Sequence, residues 1–243
     1  MRLVLLSVSA LALAACSPAA APTAAPEAPA AAEPVAEAAA EPEAAAPAPV
    51  EVKYPKAGTY KMDKGHSEIS WTLNHLGLTN YTVGFETFSI DLDLDPADMS
   101  QTKVAVTIDP KSVDPIEPDD YMVTHPNTGF TSWKDDLGQS ERLLNGNTYP
   151  TITFVSTKVN QTGPDTAEVT GDLTFLGVTK PVTLDVKYNG VVNFPNAPEM
   201  DRIGFSATTV IKRSDFGSTA MAGYVGDDVK ITVETELNEV MAE

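Results

Sequence analysis

Cysteine is almost missing from this 243-residue chain: it occurs once, as Cys16, so no intramolecular disulfide can form and packing must hold the fold. Long apolar runs are missing too. The stretch from Leu3 to Leu13 falls well short of the roughly 20 residues that a membrane-spanning helix needs. Positive charge is scarce, with 16 Lys and Arg against 34 Asp and Glu and a net charge of −18. That balance disfavours nucleic acid and direct adsorption to anionic lipid as partners. No GxSxG elbow, Walker A loop, GxGxxG fingerprint or HExxH helix occurs, so enzyme activity is not expected.

What is present at the N-terminus is a processing signal. Arg2 precedes the Leu3 to Leu13 run, which has the length of a signal-peptide core. Leu13, Ala14, Ala15 and Cys16 then look like a bacterial lipobox, in which small residues suit the lipoprotein signal peptidase and the cysteine thiol receives the lipid. Ordinary cleavage after Ala12-Leu13-Ala14 is the competing reading. Residues 1–15 are therefore assigned to a signal peptide and Cys16 to lipidation. Ser17, where an Asp would resemble an inner-membrane retention signal, points to the outer membrane and the periplasmic face. From residue 16 to about residue 53 the chain is mostly Ala, Pro and Glu without an aromatic until Tyr54. Such a composition cannot bury enough apolar surface to offset its ordering entropy and is expected to be a disordered tether.

Residues 54–243 are long enough for one domain with a substantial core. Six of the 34 acids and two of the 16 bases precede Tyr54, which leaves 28 against 14, a net charge of −14. The hydrophobic period is two. Ile69, Trp71 and Leu73 share one face, and Val104, Val106 and Ile108 repeat the spacing. Further strands are predicted at Thr151 to Val159, Ala167 to Phe175, Val182 to Tyr188, Ile203 to Ile211 and Val229 to Leu237. Between Tyr81 and Leu94 the apolar phase switches from odd positions (Tyr81, Val83, Phe85) to even ones (Phe88, Ile90, Leu92, Leu94), which predicts a bulge or bend at Glu86 and Thr87. Only Asp114 to Gly146 lacks alternation, and it is assigned one or two short helices.

The predicted class is all-β: an antiparallel barrel of about eight strands, closed so that no edge is left exposed. A barrel of that size is either filled by side chains or just wide enough for one small ligand, and the pattern is compatible with both. Inward candidates are Trp71, Leu73, Val83, Phe85, Phe154, Phe175, Leu184, Val186 and Phe205. The alternating Asp91, Asp93 and Asp95 are outer-face carboxylates without EF-hand spacing.

Several segments resemble the YceI family of bacterial envelope proteins. Gly171 to Leu184, GDLTFLGVTKPVTL, looks like the family's hallmark strand, turn and strand. In family order come Tyr60 with Asp63, His66-Ser67, His75-Leu76-Gly77, Gly84-Phe85, Tyr149 to Phe154 with Ser156-Thr157, and Arg213-Ser214-Asp215-Phe216-Gly217. The resemblance implies an extended lipocalin-like barrel whose apolar tunnel holds a long isoprenoid or fatty chain, usually in a homodimer. It adds His75 and Phe216 to the pocket candidates. His66 and His75 are read as structural or ligand-contacting rather than as metal ligands, and His125 as an exposed residue.

One region departs from the family pattern. After Ser112-Val113-Asp114 the family commonly has an Asp-x-His-Leu-like stretch, whereas here Asp119-Asp120-Tyr121-Met122 leads into a longer segment with His125, Trp133 and Gly138. Met122, Phe130 and Trp133 are candidates for a different lid. The expected function is binding, carriage or sequestration of a polyisoprenoid, quinone, fatty acid or fatty amide, with no cofactor, no metal and no nucleic acid. The alternatives are an envelope stress-response or interaction module, or an accessory to cytochrome b561-type redox proteins, with the barrel as scaffold.

Overall fold

The computed structural model describes residues 52–241. The predicted signal peptide, Cys16 and nearly all of the tether lie outside the described residues.

The chain forms ten antiparallel strands: β1 (Gly58–His75), β2 (Thr79–Phe85), β3 (Phe88–Leu94), β4 (Lys103–Ile108), β5 (Val113–Asp114), β6 (Ile152–Gln161), β7 (Thr166–Phe175), β8 (Val178–Phe194), β9 (Ala197–Lys212) and β10 (Val225–Glu239). Their order is β10-β9-β8-β7-β6-β4-β3-β1-β2-β5, and β10 also pairs with β1, so the sheet closes. β2 and β3 are two halves of one stave. β2 pairs with Ser70 to His75 of β1, and β3 with Gly58 to Lys61. The bend between them falls at Glu86 and Thr87, where the apolar phase switches. Counted that way, and with the two-residue β5 an addition to β2, the barrel has the eight staves expected.

Long strands hydrogen-bond every backbone group while placing alternate side chains on the two surfaces. β3 shows the consequence: Ile90, Leu92 and Leu94 are buried and Asp91 and Asp93 exposed. Two hairpins are closed by the same dipeptide, Leu76-Gly77 and Leu176-Gly177, with φ of 57° and 72°, and of 51° and 74°. Positive φ at both central positions suits the right-handed twist of the flanking strands, and the second position takes it without strain because glycine has no Cβ. β1 carries a large irregularity between Met62 and Ser67, where four residues oppose Glu236 of β10 alone.

The excursion after β5 holds α1 (Tyr121–Thr124) and α2 (Trp133–Gln139). Ser132 caps α2, its hydroxyl accepting from the Asp135 N–H at 3.0 Å, with Asp135 and Asp136 in the first turn.

The end at which β1 begins is packed solid. Tyr60, Ile90, Leu92, Ile203 and Leu237 are buried there in one cluster. Asp201 clamps the incoming chain, accepting from the Lys56 N–H at 2.8 Å and from the Asn193 amide at 2.7 Å. Burial pushes the Asp201 carboxyl up, but these two hydrogen bonds and nearby Lys56 outweigh it and hold it below its ordinary value.

Candidate functional site

The opposite half is hollow. An apolar cavity of about 800 Å³ lies inside the barrel, within the size range of pockets that enclose small ligands. The β1 wall contributes Ile69, Trp71, Leu73 and His75; β4 gives Val106 and Ile108; β6 and β7 give Ile152, Phe154, Leu173 and Phe175; β8 to β10 give Val182, Leu184, Ile211, Val229, Ile231 and Val233. Each set is one face of a two-residue repeat, so the same alternation that builds the barrel lines its interior.

Seven of the eleven inward and pocket candidates meet on this wall: Trp71, Leu73, His75, Phe85, Phe154, Phe175 and Leu184. The other four do not. Val186 lines a smaller pocket at the other end. Val83 faces inward but is packed in the filled cluster with Val113 and Leu137. Phe216 is buried behind the wall, its ring 6.0 Å from that of Phe175. Phe205 belongs to the other end, 5.5 Å from Tyr188, beside a small separate pocket under the stacked Tyr54 and Tyr188.

The excursion covers one side of the hollow half, but with different residues from those expected. Of Met122, Phe130 and Trp133, Trp133 alone lines the cavity; Met122 is exposed. Tyr121, His125, Leu137, Leu143 and Leu144 accompany it. His125 is exposed on one side, yet its ring stacks on Tyr121 at 4.8 Å and lies 6.2 Å from Trp133. Trp133 donates its indole N–H to the Tyr81 hydroxyl at 2.6 Å, and Tyr81 meets Trp71 edge-on at 6.1 Å. This aromatic chain fastens the excursion to the barrel wall. Tyr81 is raised above its ordinary pKa by burial, so its hydroxyl stays protonated and available to the network.

Beneath the excursion Asp136 is 1% exposed. One of its oxygens accepts from Tyr121 at 2.8 Å and lies 3.6 Å from the Arg142 guanidinium, while the other has no partner among the described residues. Burial raises the Tyr121 hydroxyl pKa, and the adjacent Asp136 carboxylate adds to the rise. The Trp71 indole N–H is likewise buried without an acceptor among the described residues.

A second cluster, at the irregularity in β1, brings together Asp63, His66 and Glu236. Arg202 reaches Asp63 at 3.2 Å and Glu236 at 3.4 Å, so a guanidinium already supplies the positive charge between the two carboxylates. Asp63 is held below its ordinary pKa by the backbone N–H of Gly65 and by His66.

A closed antiparallel barrel with a hydrocarbon-lined cavity has the geometry of a site for a small apolar ligand. Residues 60–237 match the family described as YceI-like domain, and the chain belongs to that family. A UPF0312 protein of Pseudomonas putida strain F1 is 36% identical over 163 residues, 66% of this chain and 77% of the relative. The crystal structure of Burkholderia cenocepacia BcnA superposes with a TM-score of 0.57 at 26% identity, covering 74% of this chain and 99% of that one. A structure described as a polyisoprenoid binding domain from Saccharophagus degradans shares the fold, with a TM-score of 0.51 at 14% identity over 76% of this chain and 100% of that one.

Proposed function

We propose that the chain binds one long-chain apolar ligand in the hollow half of its barrel, without chemistry, and carries or sequesters it in the cell envelope. The observation that carries this reading is the cavity of about 800 Å³ with its wall of Val, Leu, Ile and Phe side chains. An alkyl or isoprenoid chain moved from water into such a space gains about 0.8 kcal/mol per buried methylene, so length alone yields affinity. Membership of the YceI-like family and the ligand class for which the Saccharophagus fold relative is described support a polyisoprenoid, quinone, fatty acid or fatty amide. The proposed setting is the periplasmic face of a membrane, with Cys16 as the lipid anchor.

Native mass spectrometry of protein purified from its own envelope, followed by organic extraction and lipid analysis, tests the reading. A stoichiometric elongated lipid is expected. Protein that is lipid-free from its envelope and takes up no long-chain lipid on titration would overturn it.

A further inference from the structure

The cavity is apolar except near its mouth, where one residue stands out. Arg213 lines it and is only 8% exposed, yet no carboxylate lies within salt-bridge distance of it among the described residues. Its Nε donates to the Gly226 carbonyl at 2.9 Å, and its Nη1 to the carbonyls of Ser218 at 2.9 Å and Ala220 at 2.7 Å. Those three bonds use every proton on Nε and Nη1. They aim the guanidinium, but carbonyl dipoles do not neutralise a full charge that arginine cannot shed. The two Nη2 protons donate to no protein atom among the described residues. Asp227, near the start of β10, accepts from the N–H and hydroxyl of Ser214 at 3.0 and 2.8 Å. Those bonds, with Lys212 and Arg213 nearby, hold its carboxyl below its ordinary value, but it stays beyond ion-pair distance of Arg213.

The mounting is rigid. Arg213 opens a short 3₁₀ turn, Arg213–Phe216, which is pinned by buried Phe216 and capped by Gly217 at a φ of 83°. The wall between His75 at the mouth and Ile69 deep inside is six residues of β1, about 20 Å of strand, enough for a chain of fatty-acyl length.

We propose that Arg213 is a head-group subsite: it takes the oxyanion of an acidic amphiphile, a carboxylate or phosphate monoester, whose hydrocarbon tail fills the barrel. This rests on the reading of the cavity as a lipid site. The domain is strongly acidic, so its overall field repels such a ligand, and any preference for it must be local.

The test is isothermal titration of the full chain, delipidated, with three chain-matched probes: hexadecanoate, hexadecanol and hexadecyl phosphate. An acidic probe should bind at least about tenfold more tightly than the alcohol, the scale of one charge-assisted hydrogen bond. Arg213→Gln should lose that preference while binding hexadecanol as before, and the retained alcohol binding shows that the barrel is folded. Hexadecanoate and hexadecyl phosphate, ranked against each other, then give the class of oxyanion. Equal binding of acids and alcohol by the natural protein overturns the subsite but leaves the cavity reading intact. Binding of none of the three overturns the cavity reading itself. A preference that survives Arg213→Gln overturns the assignment to Arg213. Should the Gln variant unfold, the acid-to-alcohol ratio of the natural protein decides alone.

Discussion

Gly171 on β7 sits against the Phe154 ring that lines the cavity, and a single methyl group there should unsettle both fold and site. A Cβ built on it would stand 2.4 Å from the tip of the Phe154 ring and 2.6 Å from the Val155 carbonyl oxygen. The ring can swing, because Phe154 borders empty space. The carbonyl cannot: to reach ordinary contact at 3.4 Å it must retreat 0.8 Å, and it belongs to β6, which is paired to β7 through Val155 with Asp172 and Ser156 with Gly171. The ladder is already irregular between Ser156 and Lys158, so the strain falls on its least regular stretch. Overpacking plus loss of about one ladder hydrogen bond predicts that Gly171→Ala costs about 2–4 kcal/mol, a fall in melting temperature of about 5–12 °C for a domain of this size. The displaced ring enters the cavity, so affinity for a long-chain probe should fall as well. Circular dichroism melts and titration with hexadecanol would measure the two effects. Gly58→Ala on β1, whose Cβ would meet nothing closer than 3.9 Å, is the control and should melt with the natural protein. An unchanged melting temperature for Gly171→Ala would refute the packing argument.

Other outcomes follow from the same geometry. A chain-matched lipid at a hundredfold excess over its Kd should stabilise the barrel by about 2.7 kcal/mol, and a melt showing no rise would count against internal binding. Leu184→Trp should push a larger ring into the hollow half and weaken uptake of a long-chain probe while leaving the far-ultraviolet spectrum of the barrel in place. Tyr81→Phe removes the acceptor for Trp133 and should cost about 1 kcal/mol, with faster amide exchange confined to Trp133–Gln139. Asp201 has a lowered carboxyl pKa, so its stabilising contribution is complete above the unfolded value near pH 4 and disappears as the pH drops through the folded value. The stability gap between the natural protein and Asp201→Asn should therefore close in acid; a gap that stayed constant with pH would contradict the clamp.

The barrel was legible because its interior is built on a period of two. Even the bend at Glu86 and Thr87 could be read, since a one-residue slip moves every following side chain to the other surface. Strand ends were less legible. β8 and β9 run on to Phe194 and from Ala197, well beyond the predicted Val182 to Tyr188 and Ile203 to Ile211, because the ends of that hairpin are polar or exposed on both faces and carry no alternation signal. β1 begins at Gly58, well ahead of the alternation of Ile69, Trp71 and Leu73, its first half separated by the irregularity after Met62. For the site, alternation distinguishes inward from outward but not hollow from filled. Val83 and Trp71 are cross-strand partners on the same face, yet one is sealed in the core and the other borders the cavity. What separates them is the excursion packed alongside, whose aperiodic sequence did not single out Tyr121, Leu143 or Leu144. Arg213 stood in a recognisable motif, but only the fold shows that its charge is buried with no carboxylate in ion-pair distance among the described residues.

The solid packing around Tyr60, Ile203 and Leu237 has a consequence for traffic. A barrel stopped at one end works as a sheath and not as a conduit: a molecule cannot thread through it from donor to acceptor. For an amphiphile of the kind proposed, the tail would enter first from the hollow end and the head would leave first, so a handover would begin with the polar end while the hydrocarbon is still sheltered from water.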